Sequence, residues 1–286
     1  MRRGGPTTST GRSPLRQAIA VGEEADAKLA MAGGLFITGL IHSSIVELSE
    51  KVGNEVYHHR LLNGLGWLYS ELGDLDRALG LNRQSAEGAG KRGDHEVIAN
   101  AELNLGDIFL AKGDFALAQE YLDGVYRLVK DPATSDWQKW RYSTHLFASL
   151  GELWLARRDT ARAHEFADQC LELTTRTNSR MYLVKGWRLR GEIALAHRQG
   201  NEAEEALRQA LSIAEAIGNP TQLWKTHIAL GQLHTETKRS EAAQQAYRAA
   251  REVIDRIKAS LQNPGLRASL ENSPLVRYIY DLSAPP

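Results

Sequence analysis

LNLGDIFLAKGD, residues 103 to 114, decides the fold. Leu105, Ile108 and Phe109 fall at helical spacing, and the pattern stops at Gly113-Asp114, a helix terminator followed by an N-cap residue. Gly106 lies inside this helix, where glycine costs about 1 kcal/mol relative to alanine. The same glycine returns at Gly66, Gly151, Gly191 and Gly231, giving spacings of 40, 45, 40 and 40 residues. Twelve residues after each comes an alanine: Ala78, Ala118, Ala163, Ala203 and Ala243. Five costly glycines at one register require an offsetting gain, and close approach of two helices supplies it. A hydrogen on the first helix, facing the repeated alanine on the second, lets the backbones pack tightly.

Each unit therefore reads as two antiparallel helices joined by a tight turn. The second helix is plainest in EAEEALRQALSIAEAIGN, where Ala203, Ala206, Leu207, Ala210, Leu211, Ala214 and Ile217 form one stripe before Gly218-Asn219 closes it. The residue before the repeated glycine is Leu65, Leu105, Leu150 and Leu230, with Arg190 the departure. The residue three after it is Tyr69, Phe109, Trp154, Ala194 and His234.

This Leu-Gly, aromatic and small-residue pattern resembles the tetratricopeptide repeat, directly in Leu65-Gly66-Tyr69-Ala78, Leu105-Gly106-Phe109-Ala118 and Leu150-Gly151-Trp154-Ala163. The resemblance implies an all-α, right-handed superhelical solenoid of antiparallel helix pairs. The 40-residue period is longer than the usual 34 and is similar to the long-repeat branch found in bacterial signalling ATPase, cyclase and LuxR-type regulators. The expected organisation is a disordered leader at 1–17, a degraded repeat at 18–54, five repeats with a capping helix at 55–262, and a tail at 263–286. The 45-residue spacing marks an insertion in VKDPATSDWQKW, residues 129 to 140. Trp137 and Trp140 just beyond it share a helix face, which suits either packing under the loop or an exposed knob.

Composition narrows the partners. Lys+Arg and Asp+Glu are equal at 35 each, so no long-range field favours nucleic acid or an anionic membrane. Cys170 is the only cysteine, which excludes an intramolecular disulfide or a cysteine-based zinc site and points to a reducing, cytoplasmic setting, with Cys170 a small core residue. No phosphate loop, H-E-x-x-H pair or G-x-S-x-G elbow occurs, so no catalytic, cofactor or metal residue is assigned.

The family's concave groove is lined six and three residues before the repeated glycine and one, four and five after it. Carried over, the row six before reads Arg60, Asn100, His145, Lys185 and Lys225. The row three before includes Asn63 and Arg188, and the row one after reads Trp67, Asp107, Glu152, Glu192 and Gln232. A basic row beside an acidic one suits the backbone and charged side chains of a protein or peptide partner. The same residues also suit a solvated surface, with Arg188 and Glu192 pairing at i,i+4. The tail, NPGLRASLENSPLVRYIYDLS, resembles the segment that closes repeat arrays in bacterial regulators. That likeness implies a second reading: the sensor region of a signalling ATPase, an adenylate or guanylate cyclase or a transcription activator, binding a small ligand. Self-association is left open.

Overall fold

The structure, a computed structural model, describes Gly53 and residues 55 to 283. The expected leader, the degraded first repeat up to Asn54 apart from Gly53, and the last three residues lie outside the described residues.

Twelve α-helices and no strand occur among the described residues. They stack as five pairs: α1 (Glu55–Glu71) with α2 (Leu75–Arg92), α3 (His95–Ala111) with α4 (Phe115–Lys130), α5 (Asp136–Ala156) with α6 (Thr160–Thr177), α7 (Arg180–Ala196) with α8 (Gly200–Ile217), and α9 (Pro220–Glu236) with α10 (Ser240–Ser260). Two short helices follow, α11 (Pro264–Asn272) and α12 (Pro274–Leu282). The chain is an all-α solenoid of tandem helix pairs. No helix among the described residues is long and apolar enough to cross a membrane.

The turn between the helices of a pair repeats with a graded chemistry. The second residue after the first helix is left-handed each time: Gly73 and Gly113, then Arg158, Arg198 and Lys238 with φ of 63°, 60° and 58°. Side chains of Asp74, Asp114 and Asp159 cap the next helix, whereas Gln199 and Arg239 at that position make no capping bond. Glycine and aspartate are the residues this geometry favours, so the first two turns are matched to their shape and the last two are not.

Within each pair the repeated glycine does bring the helices together, but it does not face the alanine's methyl group as the sequence suggested. A Cβ on Gly106 would lie 2.7 Å from Leu122, one on Gly191 2.6 Å from Leu207, and one on Gly231 2.3 Å from the Tyr247 ring. These residues sit one turn after the repeated alanine, because a helical side chain slants toward the N-terminus and covers the turn before it. The alanine contributes its carbonyl, 3.6 Å from the Cβ position at Gly106 and 3.2 Å at Gly191. In the third unit the wall residue is itself small, Ala167, and Leu189 of α7 fills the space against Gly151.

The two ends of the array meet. Leu65 and Leu68 of α1 and Leu72 just after it share one apolar cluster with Trp224 and Ile228 of α9 and with Leu266, Leu270, Val276 and Ile279 of α11 and α12. Lys225 Nζ lies 3.1 Å from a Glu71 carboxylate oxygen, and the Ser269 hydroxyl donates to Asp74 at 2.7 Å, pairs separated by 154 and 195 residues in sequence. The two ends of the solenoid are thus joined, and the successive first helices, packed on one another, form its inner side, the lumen.

Candidate functional site

The three groove rows lie at intervals of three and four residues on each first helix, so helical geometry places them on one face. Closure turns that face inward. Each of α1, α3, α5, α7 and α9 contributes to a single ionic network there. His145 Nε2 and Asp107 Oδ2 are 2.8 Å apart, and Lys185 Nζ is 3.9 Å from the same oxygen. Glu71 holds Lys225. Arg188 lies 3.5 Å from Glu152 and 3.7 Å from Glu192, and it donates to the Gln222 side-chain oxygen at 2.8 Å. The i,i+4 pairing of Arg188 with Glu192 is therefore present alongside contacts to other repeats.

The electrostatics separate these groups. Burial alone would raise the Asp107 carboxyl, but His145 and Lys185 outweigh it and hold the group well below the usual carboxylate range. Burial likewise opposes ionisation of Glu71, and Lys225 and Lys185 override it. The Lys185 ammonium, which burial would depress, is raised by Glu152 and Asp107. Glu192 behaves oppositely: burial pushes it up, Arg188 only partly compensates, Glu152 adds repulsion, and the carboxyl sits at about 7. Its side chain nevertheless keeps 31 % exposure and that of Glu152 keeps 27 %. Both carboxylates are thus partly buried within the network and still reached by water.

The remaining candidates scatter. Arg60 makes a two-point ion pair with Glu96 at 2.8 and 3.1 Å, and Asn100 donates to the Glu96 carbonyl. With Arg141 at 3.7 Å from Glu96, these form a separate cluster shared by α1, α3 and α5. Asn63 is tied inward, donating to Asn82 at 2.9 Å, and Asn104 donates to the same oxygen at 3.1 Å. Trp67 packs against the apolar cluster that joins the two ends. Gln232 is exposed.

Glu71, Tyr182 and Gln222 belong to the lumen and were not among the sequence candidates. Glu71 falls five residues after Gly66, a row the family pattern names, so its acidity there was a usable signal. Tyr182 and Gln222 lie nine before their glycines. Tyr182 stacks on His145 with ring centroids 5.2 Å apart, and its hydroxyl is pushed above the usual range by burial. Elsewhere Cys170 is fully buried and burial pushes its thiol up to about 12, so at neutral pH it is an unreactive core residue. Trp137 and Trp140 are exposed at 51 % and 44 %, which decides in favour of the open arrangement of that pair. No group of three or more His, Cys, Asp or Glu among the described residues could hold a metal ion.

No protein-family model matches the chain, and no curated protein matches its sequence. Solved structures do. The Cut9–Hcn1 hetero-tetramer of the APC/C matches with a TM-score of 0.52 at 16% identity, over 92% of this chain and 46% of that one, so this chain spans under half its length. The apo form of RapI matches with a TM-score of 0.50 at 14% identity, over 78% of this chain and 83% of that one. BtubC from P. vanneervenii gives a TM-score of 0.47 at 15% identity over 74% of this chain and 94% of that one. At such identities the first two establish likeness of fold: the chain has the architecture of tetratricopeptide-like helical-repeat proteins.

Proposed function

We propose that this chain is a non-catalytic binding module that takes a protein or peptide segment in its lumen, and that the segment presents a lysine or arginine side chain to Glu152 and Glu192. The carrying observation is the sharing of one guanidinium, that of Arg188, by two carboxylates that water still reaches. Within reach of these two carboxylates Arg188 is the one guanidinium, so the pair outnumbers its nearest cation by one. A cationic group from a ligand restores the balance and lets Glu192 ionise fully, which is where affinity arises. The rest of the network is already matched and acts as a rigid frame, so little ordering cost falls on the protein during binding.

A second reading, the sensor region of a larger regulator, is favoured by one feature, the packing of the C-terminal tail back onto the first repeat, because a closure that can be released gives such a region two states.

Selection of a displayed random-peptide library against the chain tests the first reading, with the Glu152→Gln/Glu192→Gln double variant as control. These substitutions keep the shape and remove only charge that is incompletely paired. Peptides that share a Lys or Arg and lose at least about tenfold affinity in the variant, or roughly 1.4 kcal/mol, support the site. Peptides held equally by both proteins move the site elsewhere, Trp137 and Trp140 first, and failure to enrich any peptide rejects the peptide-binding reading.

A further inference from the structure

The helical pair α11–α12 buries apolar side chains toward both α10 and α1, but its polar contacts on the two sides differ. Toward α10, to which it is covalently joined, Gln244 donates to the Leu282 carbonyl at 3.1 Å, Lys258 pairs with Glu271 at 2.8 Å, and the Tyr280 hydroxyl bonds Asp255. The Arg251 guanidinium lies over the Tyr280 ring at 4.8 Å, and Arg267 donates to the Leu261 carbonyl at 2.7 Å. Toward α1–α2 the polar contact is the Ser269 to Asp74 hydrogen bond, beside an open cleft lined by Arg77, Lys112, Ala268 and Asn272. The ion pair of Lys225 with Glu71 spans the same junction from inside the lumen.

The closest approach at this junction is made by Gly73, where a Cβ would lie 2.2 Å from the Ser273 hydroxyl oxygen, 2.6 Å from its Cβ and 3.4 Å from its Cα. Ser273 precedes α12 without using its side chain as a cap, so the contact is packing and not capping. Gly113 supplies a comparison within the molecule. It occupies the same turn one repeat later with nearly the same backbone, φ of 78° against 83°, and a Cβ there would meet nothing within 4 Å. Glycine suits the left-handed turn at both positions, and at Gly73 it also makes room for Ser273.

We infer that α11 and α12 form a clasp that shuts the solenoid, and that the junction of Gly73 and Asp74 with Ser269 and Ser273 is the gate through which large groups reach the lumen. A structure opens first where the fewest contacts are lost. Opening here separates the ends of the array without breaking any helix pair; it parts the apolar contacts of Leu65, Leu68 and Leu72 with α11 and α12 and frees Lys225 and Glu71 on the lumen wall. The inference rests on the lumen's role as the binding site only for its biological meaning, since opening is measurable without a ligand.

The test uses Cys170→Ala as background and two readouts. In the first, spin labels at Gly80→Cys on α2 and Ala268→Cys on α11 report the distance across the junction. In the second, Glu192→Cys in the lumen is modified by a small methanethiosulfonate and by a bulky fluorescein maleimide, and the ratio of the two rates is taken. Gly73→Ala is expected to lengthen the distance and raise the bulky-to-small ratio by roughly fivefold or more, as a local opening equilibrium near 1 kcal/mol would. Gly113→Ala, with the same left-handed strain, is expected to change neither, and adding Ser273→Gly to Gly73→Ala is expected to reverse both changes. Equal behaviour of Gly73→Ala and Gly113→Ala would overturn the clasp. A longer distance with an unchanged labelling ratio would overturn the gate. Neither result bears on whether peptides bind, which the library selection decides separately.

Discussion

The seam inside each helix pair and the lumen between pairs solve opposite problems. The seam is steric and nearly periodic: the repeated glycine meets Leu122, Leu207 or Tyr247 of its own unit at the same offset, and Gly151 is the departure, met by Leu189 of the next pair. The lumen is ionic and aperiodic. Its partners come from different units, as with Asp107, His145 and Lys185 on three helices, or Glu71 and Lys225 on the first and last pair. The contrast teaches that helix packing in this solenoid is settled locally, pair by pair, while the ionic matching of the lumen is assembled globally. A fault in a seam damages one pair, whereas a fault in the lumen is felt by all five.

The largest expected effect breaks the lumen. Lys185→Met removes a cation shared by Asp107, Glu71 and Glu152, leaving desolvated carboxylates less fully compensated. A loss of about 3–5 kcal/mol is expected in chemical denaturation, in line with deletion of one partner of a buried ionic group. A loss below 1 kcal/mol would mean that the network is solvated.

A seam break should be smaller. Gly231→Ala places a methyl group against the buried Tyr247 ring, and the overpacking cost of about 1–3 kcal/mol exceeds the helix-propensity gain of about 1 kcal/mol. Gly80→Ala on the exposed face of α2, where a Cβ meets nothing, is expected to gain about 0.5–1 kcal/mol. Opposite signs in thermal unfolding sharpen the distinction between a seam glycine and an incidental one, and equal signs remove it.

Glu192 links the lumen to pH. Its folded-state value of about 7 lies above the ordinary carboxylate value of 4.5, so the native state binds more protons than the unfolded state between them. The stability it contributes is fully present below about 4.5 and is lost as pH rises through 7. Glu192→Gln is therefore expected to gain on the unmodified chain by about 1–2 kcal/mol between pH 4.5 and pH 8, after allowance for exposure. Asp107 and Glu71 run the other way, since their depressed values make their contribution present above the unfolded value and lost on acidification. Denaturation curves for the pair of proteins at pH 5, 6, 7 and 8 check the sign, and parallel curves would contradict it.

The smallest effect concerns the turns. Arg198→Gly and Lys238→Gly relieve a left-handed conformation at positions where the first two repeats have glycine, with an expected gain of about 0.5–1 kcal/mol each. Gln199→Asp adds the missing cap for about 1 kcal/mol. A combined variant that melts no higher than the parent would show that the last two turns are fixed by other contacts.

Much of this architecture was legible in the amino-acid sequence, because it is written in local terms that repeat. A glycine register, an alanine at a fixed offset, Gly-Asp turns and the apolar stripe of α8 each act within about twenty residues, so periodicity exposes them. The groove rows were legible too, since intervals of three and four place Lys185, Arg188 and Glu192 on one face whatever lies opposite. What the sequence alone determined is therefore the helix pair, its turn and the face that looks inward. Tertiary structure alone decided that the array closes, that Glu71 meets Lys225 and Asp74 meets Ser269, that Arg188 reaches Glu152 as well as Glu192, and that Trp137 and Trp140 stay outside. Those pairings join residues tens to nearly two hundred positions apart and occur once each. A contact that never repeats leaves no period to read, and the curvature that brings it about is the sum of many small rotations between neighbouring pairs.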